Sequence, residues 1–357
     1  MRLQTARFQQ FTVFADASFT FAPGINVFIG ENGTGKSHVL KALYGACMAT
    51  WPKAAGLGDN TAEASLAKRD LFQELFGPDA LNHLVRVEGA RRPETARIEL
   101  RWDDAKDVEL LFSTQNDGME YHYQYKSSPL SAPLFIPPRE VLSMYPGFAA
   151  LYRRHQLAFD RTYLDLCEAL AVPPLREPPS ALAAICESLE STLGGRVALK
   201  NDRFYIIHPH GDREITLEAE GLRKLAMVLH LVTNGQIEPG GYLFWDEPEA
   251  NMNPRLVMVM RDLLLGLAEA GVQIFVATHD YLLSRELSLV TEYGAQRGWL
   301  RFFCLHKATP DGPVAVEEGA TLIDLEHNPI VAEFAAHYTR ENECFVSTTT
   351  SPEVHKE

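Results

Sequence analysis

The sequence predicts an α/β fold with a mainly parallel sheet, an antiparallel lobe and a helical insertion. Three observations predict it. In the chain of 357 residues, the continuous apolar runs "INVFIG", "GYLFW" and "VQIFVA" alternate with helix-length segments, as strands buried on both faces between crossover helices do. The stretch "FIGENGTGKSHVL", residues 28–40, sets a glycine-rich turn between such a run and a helix, in the Gly-x-x-x-x-Gly-Lys-Ser spacing of a phosphate loop. The run "YLFWDE" ends in two adjacent carboxylates, where ligands meet the carboxyl edge of an open α/β sheet.

Bulk properties bound the function. The length suits one large domain with insertions or two domains. A net charge of −14 argues against a surface that grips nucleic acid through overall charge and leaves only a local basic stripe, such as Arg153, Arg154 and Arg161, for that purpose. The five cysteines, Cys47, Cys167, Cys186, Cys304 and Cys344, form no C-x-x-C pair, so they indicate reduced, mostly buried thiols and neither a zinc site nor a disulfide framework. The amino terminus lacks the pattern of a secretory signal, and no apolar run approaches the roughly 18 residues needed to span a bilayer. The expected location is the cytoplasm, with no membrane partner.

The elements follow in order. "RFQQFTVF" and "ASFTF" read as strands, "INVFIG" as the strand entering the glycine loop, and a helix starts near Lys36. Residues 46 to 92 read as mainly helical, because Leu66, Leu71, Phe72, Leu75 and Phe76 recur at helical spacing before "GPD". From Ala96 to Tyr125, "ARIELRW", "VELLFS" and "MEYHYQY" read as a small antiparallel sheet. The Pro-rich "PLFIPPREVLSMYPGF" leads to helices at 147–171 and 181–193, ended by Gly194 and Gly195. "GRVALKNDRFYIIH" is a hairpin, and helix, strand, helix, strand follow to "VQIFVATHD". The predicted organisation is a core in two parts, 1–50 and 196–340, an insertion at 51–195, and a disordered tail at 341–357.

Three motifs carry chemistry. Main-chain N–H groups of a glycine turn and the positive end of the following helix suit phosphate oxygens, so Asn32, Gly33, Thr34, Gly35, Lys36, Ser37 and His38 are the nucleotide-binding candidates. Lys36 would reach the β and γ phosphates of ATP, and the Ser37 hydroxyl would bind Mg²⁺. Asp246 would hold the same ion, and Glu247 would orient and deprotonate the attacking water. His279, just past the strand in "VATHD", could hydrogen-bond the γ phosphate. Phe8, Phe11 and Phe14 are candidates for stacking on the base, an alternative to their serving as core.

Together, Gly30 to Ser37, "LFWDEPEANMNP" and "VATHD", with a long insertion between the first and second, resemble the ABC-type ATPase heads of the SMC, RecF and OLD groups. Among these, the chain looks most like the short AAA-labelled ATPases of the OLD-like group found in bacterial anti-phage defence loci. "FIPPREVLS", with Arg139 and Glu140, falls where such heads carry the Q-loop, and "LEAEGLRKLAMV" where they carry the signature that opens a helix. The resemblance implies a P-loop ATPase of the ABC type that works as a head-to-tail dimer, with ATP between one subunit's loop and the other's signature. By that carry-over Gly221 and Arg223, with Lys224 as a further candidate, touch the γ phosphate bound to the partner. The signature's usual serine is Ala219 here, and the nearby Glu220 would repel a triphosphate by about 1 to 4 kcal/mol at 4 Å unless it points away or pairs with Arg223.

Two functions are expected from different classes. The first is an ATP-gated sensor of a defence system that controls a separate effector, a nuclease or toxin; OLD nucleases append a metal-dependent TOPRIM domain, and the stretch after His279 contains no Asp-x-Asp pair for two-metal chemistry. The second is a DNA-repair clamp of the RecF or SMC kind, which needs a basic concavity that the composition does not advertise.

Overall fold

The computed structural model describes residues 1–51, 62–87, 95–103, 107–115, 119–124, 132–155, 157–294, 298–309 and 312–350. The chain opens with a hairpin, β1 (Leu3–Phe11) and β2 (Phe14–Thr20), then β3 (Ile25–Gly30) and helix α1 (Lys36–Thr50). Helix α2 (Ala62–Phe76) precedes three strands, β4 (Thr95–Trp102), β5 (Asp107–Ser113) and β6 (Met119–Gln124). Next come β7 (Leu134–Ile136) and helices α3 (Phe148–Arg154), α4 (Arg161–Leu170) and α5 (Ala183–Leu193). A short meander, β8 (Arg196–Lys200), β9 (Arg203–His208) and β10 (Gly211–Glu214), leads into α6 (Glu220–Thr233). The chain then alternates through β11 (Tyr242–Asp246), α7 (Pro254–Glu269), β12 (Gln273–Ala277) and α8 (Tyr281–Tyr293). It closes with β13 (Leu300–Lys307), β14 (Val314–Gly319) and α9 (Pro329–Thr350).

The central sheet runs β14-β13-β3-β12-β11-β7, parallel except for the β13–β14 pair. Its strands are buried on both faces. Ile25, Val27 and Ile29 of β3 pack with Leu243, Trp245, Ile274 and Val276 into a core shared with α4 to α7. Phe28, Phe244, Phe275 and Phe303 face the opposite core, against α1, α2 and the second sheet. Period-two alternation between two apolar layers explains why these strands read as unbroken hydrophobic runs.

The second sheet is antiparallel and larger than the sequence suggests, with order β2-β1-β4-β5-β6. Residues 95–124 therefore form no sheet of their own; they extend the amino-terminal hairpin through the β1–β4 pairing. Phe8, Phe11 and Phe14 are fully buried there and meet edge to face, so they are core and offer no ring to a base. Two further expectations change. Arg153 pairs with Glu168, and Arg161 with Asp165 and Glu74 at 2.6 Å each, so two of the three arginines of the basic stripe are already neutralised. Helix α9 runs on to Thr350, well into the stretch expected to be a disordered tail, and 351–357 lie outside the described residues. Cys47, Cys167, Cys186 and Cys304 are buried, and Cys344 is exposed.

Candidate nucleotide site

The parallel register aligns the strand ends. Asp246 lies opposite Ala277, Ala277 opposite Phe28, and Trp245 opposite Ile136, so the loops after β3, β7, β11 and β12 leave one edge of the sheet. That edge is the carboxyl end, the usual ligand edge of such folds.

The loop Gly30–Ser37 is held by its own polar groups. The Thr34 hydroxyl donates to the Glu31 carbonyl at 2.8 Å, and Lys36 Nζ donates to the carbonyls of Gly30 and Glu31 at 2.8 and 2.9 Å. Gly35 takes a left-handed φ of 91° as it caps α1, and a Cβ there would lie 2.6 Å from Val13 Cγ2, so only glycine fits. Val13, at the tip of the β1–β2 hairpin, is a neighbour of the loop that the motif does not reveal. Helix α1 begins with no side-chain cap and no acid in its first turn, leaving its first N–H groups for an anion.

Across the edge, the Ser37 hydroxyl donates to Asp246 Oδ2 at 2.6 Å, joining residues 209 positions apart. Burial pushes the Asp246 carboxyl above its usual range, opposed by the Ser37 hydrogen bond. Burial likewise lowers the Lys36 ammonium, and the carboxylates of Asp246 and Glu247 partly offset this. A cation bound beside Asp246 would favour its ionised form and oppose the effect of burial.

Glu247 adopts a left-handed φ of 51°, and its N–H donates to the Ala277 carbonyl at 2.8 Å. Its carboxylate lies 3.3 Å from His279 Nδ1. The motif around His279 divides its labour. Thr278 turns inward and donates to Glu249 at 2.6 Å, Asp280 caps α8 by accepting from the Leu283 N–H at 2.6 Å, and His279 between them stays half exposed. Glu249, which the sequence reading passed over, is 7% exposed, and its Oε2 has no hydrogen-bond partner. Desolvation raises its carboxyl to about 7.

The remaining candidates sit differently from one another. His38 turns its ring edge-on to Phe76, and burial lowers its imidazole to about 4, so what it can offer an anion is its main-chain N–H. Gly221, in the first turn of α6, is buried against Met252 and Leu256 of the segment entering α7. Arg223 forms an ion pair with Glu140 Oε2 at 2.8 Å, which ties the signature-like helix to the Q-loop-like segment within one chain. Lys224 is fully buried and donates to the Glu247 carbonyl at 3.0 Å, so its ammonium faces its own chain's acidic turn. Glu220 accepts from Asn251 at 2.9 Å, while Arg223 pairs with Glu140 in place of Glu220.

A family model described as "AAA domain, putative AbiEii toxin, Type IV TA system" matches residues 78–285, more than half of the chain. The chain belongs to this AAA-domain family. A second model, described as "AAA domain", matches residues 2–130 of the same ATPase. Curated relatives are similar over shorter stretches. The DNA double-strand break repair Rad50 ATPase of Halobacterium salinarum is 35% identical over 120 residues, 32% of this chain and 14% of that protein. The DNA replication and repair protein RecF of Limosilactobacillus fermentum is 46% identical over 44 residues, 12% of each. The matched stretches thus span about an eighth of these relatives' length. Among solved structures, the SMC head domain from Thermotoga maritima superposes with TM-score 0.50 and 14% identity, over 89% of this chain and 98% of that one. An Smc head bound to the C-terminal winged-helix domain of ScpA reaches TM-score 0.55 at 14% identity, over 90% and 98%. The AAA-domain ATPase therefore has the SMC-head, ABC-type P-loop fold.

Proposed function

We propose that this ATPase is an ATP-gated switch of a bacterial anti-phage defence system, in which nucleotide-dependent pairing of two copies controls a separate effector, a nuclease or toxin. The observation that carries the gating part is the 2.6 Å hydrogen bond between Ser37 and Asp246, which sets the phosphate loop and the acidic turn around one space. The residues present fit ATP and Mg²⁺. A serine hydroxyl beside a buried carboxylate is the hard oxygen set Mg²⁺ prefers, and the Lys36 ammonium donates to two neutral main-chain carbonyls that a phosphate can replace. Mg²⁺, held by Ser37 and Asp246, would neutralise charge on the β and γ phosphates.

The chain's own groups supply the rest. The loop from Asn32 to His38 binds the phosphates through N–H groups, and Lys36 adds charge. Glu247 accepts the proton of the attacking water, and His279, beside that carboxylate, orients on the γ phosphate. Gly221 and Arg223 of one copy close over nucleotide bound to the other, and Arg223 exchanges its ion pair with Glu140 for phosphate. The defence role rests on the toxin–antitoxin wording of the family description and on the resemblance to OLD-like ATPases. Among the described residues no helix is long and apolar enough to cross a membrane, which is compatible with cytoplasmic action.

The test is Glu247→Gln. It should retain ATP, slow hydrolysis by about 10²- to 10⁴-fold and accumulate as a dimer by light scattering. Unchanged hydrolysis would remove Glu247 from the role of base, and a monomer with ATP bound would remove the gate. The similarity to Rad50 and RecF favours a second reading, an ATP-dependent clamp on duplex DNA. Tight ATP-dependent DNA binding that weakens steeply with salt would select it over the effector switch.

A further inference from the structure

We propose that His306, Glu317 and His327 form a binding site for a divalent transition metal of the zinc class, separate from the nucleotide site. Three elements bring the groups together. His306 is on β13, Glu317 on the antiparallel neighbour β14, and His327 in the turn that enters α9, and one donor atom from each falls within 4.8 Å of the others. The two imidazole rings stack with centroids 4.3 Å apart and planes 2° from parallel, so one ring must turn out of the stack for both lone pairs to meet on one ion. They share a single oxygen. Glu317 Oε1 contacts His327 Nδ1 and lies 3.6 Å from His306 Nε2.

The carboxylate is oriented from behind, since its second oxygen accepts the His327 main-chain N–H at 3.1 Å. The turn carrying His327 is pinned as well, because buried Cys304 donates its S–H to the His327 carbonyl at 3.0 Å. Supporting bonds of this kind hold ligands in place at metal sites. Two imidazoles and one carboxylate, with an open fourth position for water, match the donors zinc takes in a tetrahedron. Mg²⁺, which prefers oxygen alone, is a poor match.

The placement separates this site from the nucleotide. His306 follows Leu305, whose register partner is Gly30, so the cluster lies at the same sheet edge as the phosphate loop but on the β13 side. Asp246 ends β11, three strand spacings away in the order β13-β3-β12-β11, or about 14 Å. Metal bound here would tie the entry of α9 to the β13–β14 pair beside the loop.

The experiment is a cobalt(II) titration of the full chain without nucleotide or Mg²⁺, read by visible absorption, followed by displacement with zinc. One equivalent should give the intense bands of a four-coordinate ion. Glu317→Gln and His306→Ala should each weaken binding by about 10- to 100-fold or more, while Asp246→Asn leaves it unchanged. Glu317→Gln keeps an acceptor for the His327 N–H, and circular dichroism of that variant checks that the fold persists. Absence of cobalt bands together with no zinc retained after desalting would reduce the cluster to a hydrogen-bonded clasp and overturn the site. Bands lost in Asp246→Asn but kept in His306→Ala would overturn it too, by moving the metal to the nucleotide edge.

Discussion

At Lys36 the cost of burying an ammonium is met by two main-chain carbonyls of its own loop. Replacing it with methionine removes the charge while keeping the length, and should weaken ATP binding by about 10- to 100-fold, the value of one or two charge-assisted hydrogen bonds. A fluorescent-nucleotide titration checks this. Glu249 makes a different prediction, about stability. Its carboxyl is raised from 4.5 to about 7, first by desolvation, against the Thr278 hydrogen bond and the Lys224 charge that lower it. The folded state therefore binds the proton more tightly than the unfolded one. Its contribution is complete below the unfolded value and is lost as pH rises toward 7, by up to about 3 kcal/mol. Urea denaturation between pH 5 and pH 8 should show wild-type stability falling with pH, and Glu249→Gln should flatten that fall. Among residues, motif spacing brought Lys36, Ser37, Asp246, Glu247 and His279 into view, since each follows a buried apolar run at a fixed offset. It said nothing about Glu249, and Lys224 entered only as a further candidate for the partner's γ phosphate. Which way a side chain turns from a tight turn or a helix depends on packing from elsewhere in the chain, and the inward bond of Lys224 to the Glu247 carbonyl has no local signal.

Among the elements, the strands of the central sheet were legible because burial on both faces erases alternation and leaves continuous apolar runs such as "YLFWD" and "QIFVA". Asn253 and Asp280 cap α7 and α8 in the structure, each accepting a main-chain N–H, a role the sequence reading did not assign them. Strand partnership was not legible. The alternation in β4 to β6 predicts an antiparallel sheet, yet nothing local marks Ile98 as the register partner of Phe8, 90 positions earlier. The end of helix α9 was missed because its Ser- and Thr-rich sequence reads as a disordered tail. The approach of α1 to α2 offers a direct test of packing between elements. Gly45 lies where a Cβ would meet Leu75 at 2.9 Å and Phe72 at 3.0 Å. Gly45→Val should force the two helices apart and cost about 1 to 3 kcal/mol, measured by chemical denaturation.

On the scale of the whole molecule, one sheet edge gathers the loops after four parallel strands, with the signature-like helix held to that edge by Lys224 and, through Glu140, by Arg223. Both ties lie within a single chain, so the proposed closure of two copies, with Arg223 on the partner's nucleotide, requires the Arg223–Glu140 pair to break. Glu140→Gln should therefore shift the ATP-dependent dimer toward lower protein concentration, as read by sedimentation. An unchanged association curve would mean that Arg223 stays in place. The negative balance of charge, and the carboxylates already paired with Arg153 of α3 and Arg161 of α4, make salt-sensitive DNA binding by these helices a poor expectation. The central claim, a single space for magnesium-bound ATP between Ser37 and Asp246, is tested most directly by calorimetric titration of ATP with and without Mg²⁺ into wild type and Asp246→Asn. Wild type should bind more tightly when Mg²⁺ is present, and Asp246→Asn should lose that gain; no binding by wild type, or the same magnesium dependence in both proteins, would contradict it.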